Sequence, residues 1–181
     1  MKKLFLLIGV LMLFCNLRAQ FSRATLQATG LTCAMCSNAI NKALQKVSFV
    51  ESVRSDIRNS AFNIVFKTNT AVDIDALKNA VEDAGFSVGS LKLTGTFNDL
   101  SIANDKHVLI GNEQFHFLNI SNEVLDGEKT LTVVDKNFVT AKEFKKISLF
   151  TKMSCLQSGK SASCCIRDGI PAGTRIYHVT I

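Results

Sequence analysis

The sequence predicts an α+β protein built in two parts. Helical and strand periods alternate over residues 20–92, short strand-like runs dominate residues 93–181, and an apolar run precedes both. Of 181 residues, 47% are hydrophobic, enough for a real core, so a disordered chain is excluded.

The N-terminal run is set aside first. Lys2 and Lys3 precede the apolar stretch from Leu4 to Phe14, and Leu17-Arg18-Ala19 ends it on a small residue, the pattern of a secretory signal over residues 1–19. The stretch is shorter than the roughly 20 residues that span a bilayer. A lipid anchor on Cys15 is the competing reading, disfavoured because Phe14 is bulky where lipoprotein processing wants a small residue. Removing Lys2, Lys3 and Arg18 and no acid takes the net charge from +6 to +3 (18 basic against 15 acidic). The mature chain is expected to be secreted across the inner membrane, periplasmic, and without stable membrane insertion. Cys33, Cys36, Cys155, Cys164 and Cys165 then remain in a compartment that permits disulfides, and their odd number leaves at least one outside any internal bridge.

Residues 20–92 read strand, helix, strand, strand, helix, strand. Ala24, Leu26 and Ala28 alternate with polar residues until Gly30 breaks the run. Ala39, Ile40, Ala43, Leu44 and Val47 recur at helical spacing. Val53 to Ile57 and Phe62, Ile64 and Phe66 form a hairpin about Asn59-Ser60. Asp73 caps a second helix with the stripe Ile74, Leu77, Val81 and Ala84, and Gly85 supplies a left-handed C-terminus before Phe86 and Val88 open a last strand. This order makes a ferredoxin-like βαββαβ sandwich, two helices on one face of a four-stranded sheet.

The chemistry gathers where the first strand gives way to the first helix, at Gly30-Leu31-Thr32-Cys33-Ala34-Met35-Cys36. Two cysteines three apart at a helix N-terminus turn their sulfurs toward one point, where unpaired amides and the helix dipole favour thiolate. A thiolate pair suits a soft, low-coordinate ion such as Cu(I), whereas structural zinc takes four ligands and calcium or magnesium take oxygens. The spacing alone also admits a structural disulfide or a thioredoxin-like redox pair. Against the redox reading, the only proline, Pro171, lies far from the motif.

Residues 24–92 resemble the heavy-metal-associated domain family of copper chaperones, metal-pumping ATPase modules and the periplasmic mercuric-ion binder. Gly30, Thr32, Cys33 and Cys36 match its metal loop, and Ile40, Ala43, Leu44, Val47, Val50, Val53, Leu77, Ala80 and Gly85 match its framework. The resemblance implies one soft ion held by Cys33 and Cys36 and passed to a partner by ligand exchange. Cu(I) leads, with Hg(II), Ag(I) and Zn(II) as alternatives, and the implied recipient is a metal-transporting ATPase or efflux component. Three residues depart from the pattern: Leu31 stands for the usual Met, as a core plug; Met35 lies between the cysteines, on the surface or as an auxiliary thioether; and Phe86 replaces a Tyr found in many bacterial copper chaperones.

Residues 93–181 carry strand-like runs at Phe115, Phe117, Leu131, Val133, Ile147, Leu149, Ile176 and Val179. Thr140 and Glu143 have capping-box spacing for a short helix bearing Phe144 and Ile147. About five strands and one helix suit a small closed, OB-like barrel. At 10 basic against 9 acidic residues the segment gives no reason to expect nucleic acid. Met153, Cys155, Cys164 and Cys165 flank a small polar stretch. They read equally as a second soft-metal site, with Met153 auxiliary, or as a disulfide plus one thiol. His107, His116 and His178 read as surface or satisfied histidines rather than ligands.

No phosphate loop, HExxH or paired-carboxylate motif is present, so the chain is expected not to be an enzyme. The expected function is a periplasmic metallochaperone or sequestering protein. A thiol-disulfide redox protein and a metal-sensing adaptor whose C-terminal part binds a partner are the alternatives.

Overall fold

The computed structural model describes residues 20–31 and 34–181. The expected targeting segment 1–19 and the candidate ligand Cys33 lie outside the described residues.

Strand β1 (Gln20–Thr29) turns Ala24, Leu26 and Ala28 into the core. Helix α1 (Ala34–Gln45) buries Ser37, Ile40 and Leu44, while Ala39, expected on its apolar face, is exposed. Strands β2 (Val50–Asp56) and β3 (Ala61–Phe66) form the expected hairpin. In its turn the Asp56 carboxylate accepts from the Asn59 amide and side chain, and Ser60 adopts φ 49°. Helix α2 (Ile74–Asp83) starts where the Asp73 carboxylate accepts from the Ala76 amide, and Gly85 follows it at φ 88°. Its buried residues Ile74, Leu77 and Val81 repeat at helical spacing.

Strand β4 (Ser87–Ile102) then joins the two halves of the chain. It pairs with β1 from Ser87 to Thr96 and, along its other edge, with β7 (Glu123–Val133) from Leu91 to Ile102. The boundary expected at about residue 92 falls inside this strand. Beyond it come β5 (Lys106–Ile110), β6 (Glu113–Phe117), α3 (Ala141–Ile147), α4 (Cys155–Ser158), α5 (Ser163–Ile166) and β8 (Ile176–Thr180). Thr140 and Glu143 form the expected capping box on α3. Ile147 ends that helix and Leu149 is 83% exposed beyond it, so neither belongs to a strand.

All eight strands form one sheet in the order β2-β3-β1-β4-β7-β8-β6-β5. The expected closed, OB-like barrel is not what forms. Among the described residues no pairing returns β5 to β4, because β7 occupies the free edge of β4 and β8 separates β7 from β6. The sheet nevertheless curls. In a flat sheet β1 and β6, four positions apart, would be separated by about 19 Å. Yet the rings of Phe21 and Phe115 lie 5.6 Å apart. The concave side therefore encloses one core, in which Leu26, Ile40 and Leu77 belong to the same cluster as Phe115, Leu131 and Val179.

Arg175 ties the halves together from the rim. Its guanidinium grips Asp75 of α2 at 2.8 and 3.1 Å, reaches Asp135 at 3.0 Å, and lies 4.1 Å from the centre of the Tyr177 ring. Gly159, at φ 67°, gives this side chain room, since a Cβ there would stand 2.8 Å from an Arg175 nitrogen.

Two outcomes follow for stability. Leu131→Ala, in the common core, should cost about 3 kcal/mol and lower the midpoint of a single thermal transition by roughly 6–12 °C. Scanning calorimetry that resolves two transitions, only one of them shifted, would contradict the common core. Arg175→Ala leaves the buried carboxylate of Asp135 with His178 as its remaining partner and should cost about 2 kcal/mol, read as a lower midpoint in urea at unchanged slope.

Candidate metal centre

The first candidate site begins at the end of β1. Gly30 adopts φ 81°, a left-handed backbone that favours glycine, and reverses the chain toward α1. Leu31 packs against the core, as expected of a plug. Cys36 is the third residue of α1 and is half-buried, while Met35 beside it is 82% exposed. Phe86, from the strand entry after α2, is partly buried and lies 4.0 Å from the position a Cβ on Gly30 would take. Gly30 and Leu31, where the chain leaves β1, are thus held by apolar packing.

The second candidate site is built from four separate stretches of chain. Strands β5 and β6 form a hairpin in which His107 stands directly opposite His116, and β6 pairs with β8 so that His116 stands opposite His178. Register partners share a face. Phe115 and Phe117 on β6, and Tyr177 and Val179 on β8, face the main core, so by alternation the three histidines face the other way. The excursion between α3 and β8 covers that face, and there Cys155 and Cys165 are fully buried beside Ile170 and Ile176, with Met153 and Cys164 at the margin. The structure therefore brings Cys155, Cys164 and Cys165 together, their sulfurs all within 4.8 Å of one another and none of them bridged.

The histidines are expected as surface or satisfied residues rather than ligands, and His116 and His178 are fully buried, so the surface alternative is not what forms. Each is indeed satisfied on one nitrogen: His107 Nδ1 meets Asp168 at 2.7 Å, His116 Nε2 meets Asp105 at 3.0 Å, and His178 Nδ1 meets Asp135 at 2.6 Å. But the remaining nitrogens of His107 and His116 lie 3.9 and 3.8 Å from Cys155 Sγ, and these three donor atoms form a second potential ligand set. His178 Nε2 is the one buried side-chain nitrogen or oxygen without a hydrogen-bond partner among the described residues. The signal available in the sequence was Gly111-Asn112, a two-residue hairpin turn that pairs 110 with 113 and hence 107 with 116.

Burial governs the protonation of this cluster. It pushes the Cys155 thiol far up, with the neighbouring Cys165 adding to the shift, and it also raises Cys165. Cys164 behaves oppositely. Burial works to raise it, but hydrogen bonds from the Ser154 hydroxyl and the Cys155 backbone outweigh that and bring it to about 6. Burial, then the neighbouring charges of His178 and His107, lowers His116 to about 4 against the opposing pull of Asp105, so this imidazole is neutral near pH 7. A thiolate at Cys164, neutral thiols around it and a neutral imidazole make a set of soft and borderline donors with little net charge.

Among the described residues no helix is long and apolar enough to cross a membrane.

Comparison with known proteins bears on the first site. Residues 25–87 match the heavy-metal-associated domain. The chain is 31% identical over 94 residues to the mercuric transport protein periplasmic component of Serratia marcescens, covering 48% of this chain and 93% of that protein. It is 32% identical over 59 residues to the copper chaperone CopZ of Staphylococcus haemolyticus, covering 33% of this chain and 85% of that one. It is also 40% identical over 58 residues to the copper-transporting ATPase RAN1 of Arabidopsis thaliana, of whose length this chain spans 6%. The βαββαβ order, the loop between β1 and α1 and these matches agree: the chain belongs to the heavy-metal-associated domain family.

Proposed function

We propose that the protein is a periplasmic metallochaperone or sequestering protein that binds Cu(I) through the thiolates of Cys33 and Cys36. The observation that carries this reading is the family match across residues 25–87, which spans both cysteines, with Cys36 in the first turn of α1. Two thiolates hold a monovalent d10 ion in low coordination, leaving it open to attack by an incoming thiolate from a partner. Handover then proceeds by ligand exchange, one protein sulfur leaving as a partner sulfur binds. A metal-transporting ATPase or efflux component is the proposed recipient. Copper chaperones and ATPase modules among the relatives support copper, and the mercuric transport relative supports both the periplasm and tolerance of Hg(II). Ag(I) and Zn(II) are the further ions such a pair would accept. The role asks for no catalytic group in the loop, only reversible ligation.

Titration of the reduced chain, lacking residues 1–19, with Cu(I) against a chromophoric competitor tests the reading. Replacing both Cys33 and Cys36 by Ser should lower the stoichiometry by one ion per chain, and an unchanged stoichiometry would refute it. The exposed side chain of Met35 supports the surface role over the auxiliary one. Met35→Ala should accordingly change Cu(I) affinity by less than about threefold in the same competition assay.

A further inference from the structure

The geometry points to a second metal site, in which His107 Nε2, His116 Nδ1 and Cys155 Sγ hold one thiophilic d10 ion, Cu(I), on the face of the sheet opposite the main core. This inference goes beyond the dithiolate reading and stands without it, because none of its ligands lies in the heavy-metal-associated module.

The donors are pre-aimed. The carboxylates of Asp168 and Asp105 accept the ring N–H of His107 and of His116, which fixes the tautomers and leaves the lone pairs of His107 Nε2 and His116 Nδ1 toward Cys155. Such carboxylate–histidine pairs are the usual outer support of a metal-bound imidazole. The two rings are stacked, with centres 4.5 Å apart and planes 27° off parallel, as cross-strand partners on the β5–β6 hairpin. All three donor atoms lie within 4.8 Å of one another. With metal–nitrogen bonds of about 2.0 Å and metal–sulfur bonds of about 2.3 Å, a bound ion sets the nitrogen–sulfur separation at roughly 3.5–3.8 Å. The observed 3.8 and 3.9 Å need a contraction of a few tenths of an ångström at most.

Hydrogen bonding alone leaves this arrangement short of a donor. The Cys155 thiol carries one proton, and two imidazole lone pairs converge on it. A cation in the centre satisfies both lone pairs, with the thiol proton released to solvent on binding. Charge balance favours the monovalent ion. One thiolate and two neutral imidazoles around Cu(I) sum to zero, which suits a place where His116 and Cys155 are fully buried, whereas a divalent ion is neutralised there only by drawing in a sulfur of the adjoining Cys164 or Cys165 as well. Cys164 and Cys165 adjoin Cys155 as a second, all-sulfur set. They give the ion an entry side, since Cys164 is partly exposed. A Cys–His–Asp nucleophile is the competing explanation. It fits poorly, because Cys155 is fully buried and meets two imidazoles where a nucleophile uses one.

The test uses the whole chain without residues 1–19, with Cys33 and Cys36 both replaced by Ser, reduced, and titrated with Cu(I) against the same competitor. One ion per chain should be retained. X-ray absorption of that ion should show mixed nitrogen and sulfur neighbours with the outer-shell pattern of imidazole. Adding His107→Gln should weaken binding at least tenfold, and adding Asp168→Asn, which removes only the outer support, should weaken it by about 10- to 100-fold. Far-ultraviolet circular dichroism confirms that each variant is folded, and the absorption spectrum of the Ser variant needs no further substitution. Absence of a retained ion, or an all-sulfur shell indifferent to His107→Gln, would overturn the proposal. The loss of one ion between wild type and the Ser variant reports on Cys33 and Cys36 separately, so the two readings fail independently.

Discussion

Everything beyond residue 92 is organised by one constraint, the double pairing of β4. In a βαββαβ sandwich with sheet order β2-β3-β1-β4, β4 is an edge strand, and an open edge is a row of unpaired amides and carbonyls that invites association. Here β7 pairs along that edge from Leu91 to Ile102, and β8, β6 and β5 follow outward. Because the added strands coil back until Phe115 meets Phe21, they also close over apolar surface that the module alone would leave facing water. Arg175 completes the closure by bonding Asp75 on α2 and Asp135 at once.

The first half was legible because each of its signals is local. Asp73 and Gly85 bracket α2 through hydrogen bonding and backbone freedom that depend only on near neighbours, and Ala24, Leu26 and Ala28 alternate as a half-buried strand does. The family resemblance added a framework that agreed with those signals. The join was not legible in the same way. Leu91, Leu93 and Phe97 are buried residues of one long strand, yet the change in sequence texture at that point suggests a boundary. Texture reports which elements follow one another, not which edges they pair with. The barrel expectation failed for that reason: strands were identified at Phe115, Leu131 and Val179, but their partners were set by the vacant edge of β4.

The candidate sites divide along the same line. The segment from Gly30 to Cys36 is contiguous, so its two cysteines are visible in the sequence as a group. The cluster around Cys155 draws on β5, β6 and the excursion after α3, so its cysteines were visible as a group while its histidines, 9 residues apart in sequence by their numbering, were not. The turn at Gly111-Asn112 contained the register that would have joined His107 to His116. What no sequence pattern contained was that the segment bearing Cys155 folds over that face of the sheet.

A strand held in common has a mechanical consequence that a linker would not. Modules strung on flexible tethers exchange cargo by swinging, and the rate depends on tether length and the volume each end explores. Here the loop at the head of α1 and the cluster around Cys155 are mounted on one hydrogen-bonded lattice, whose strands cannot pivot without breaking their pairing. Among the described residues no swinging arm lies along this path. Whatever distance separates the Gly30–Leu31 turn from Cys155 is set by strand pairing and not by the length of a tether.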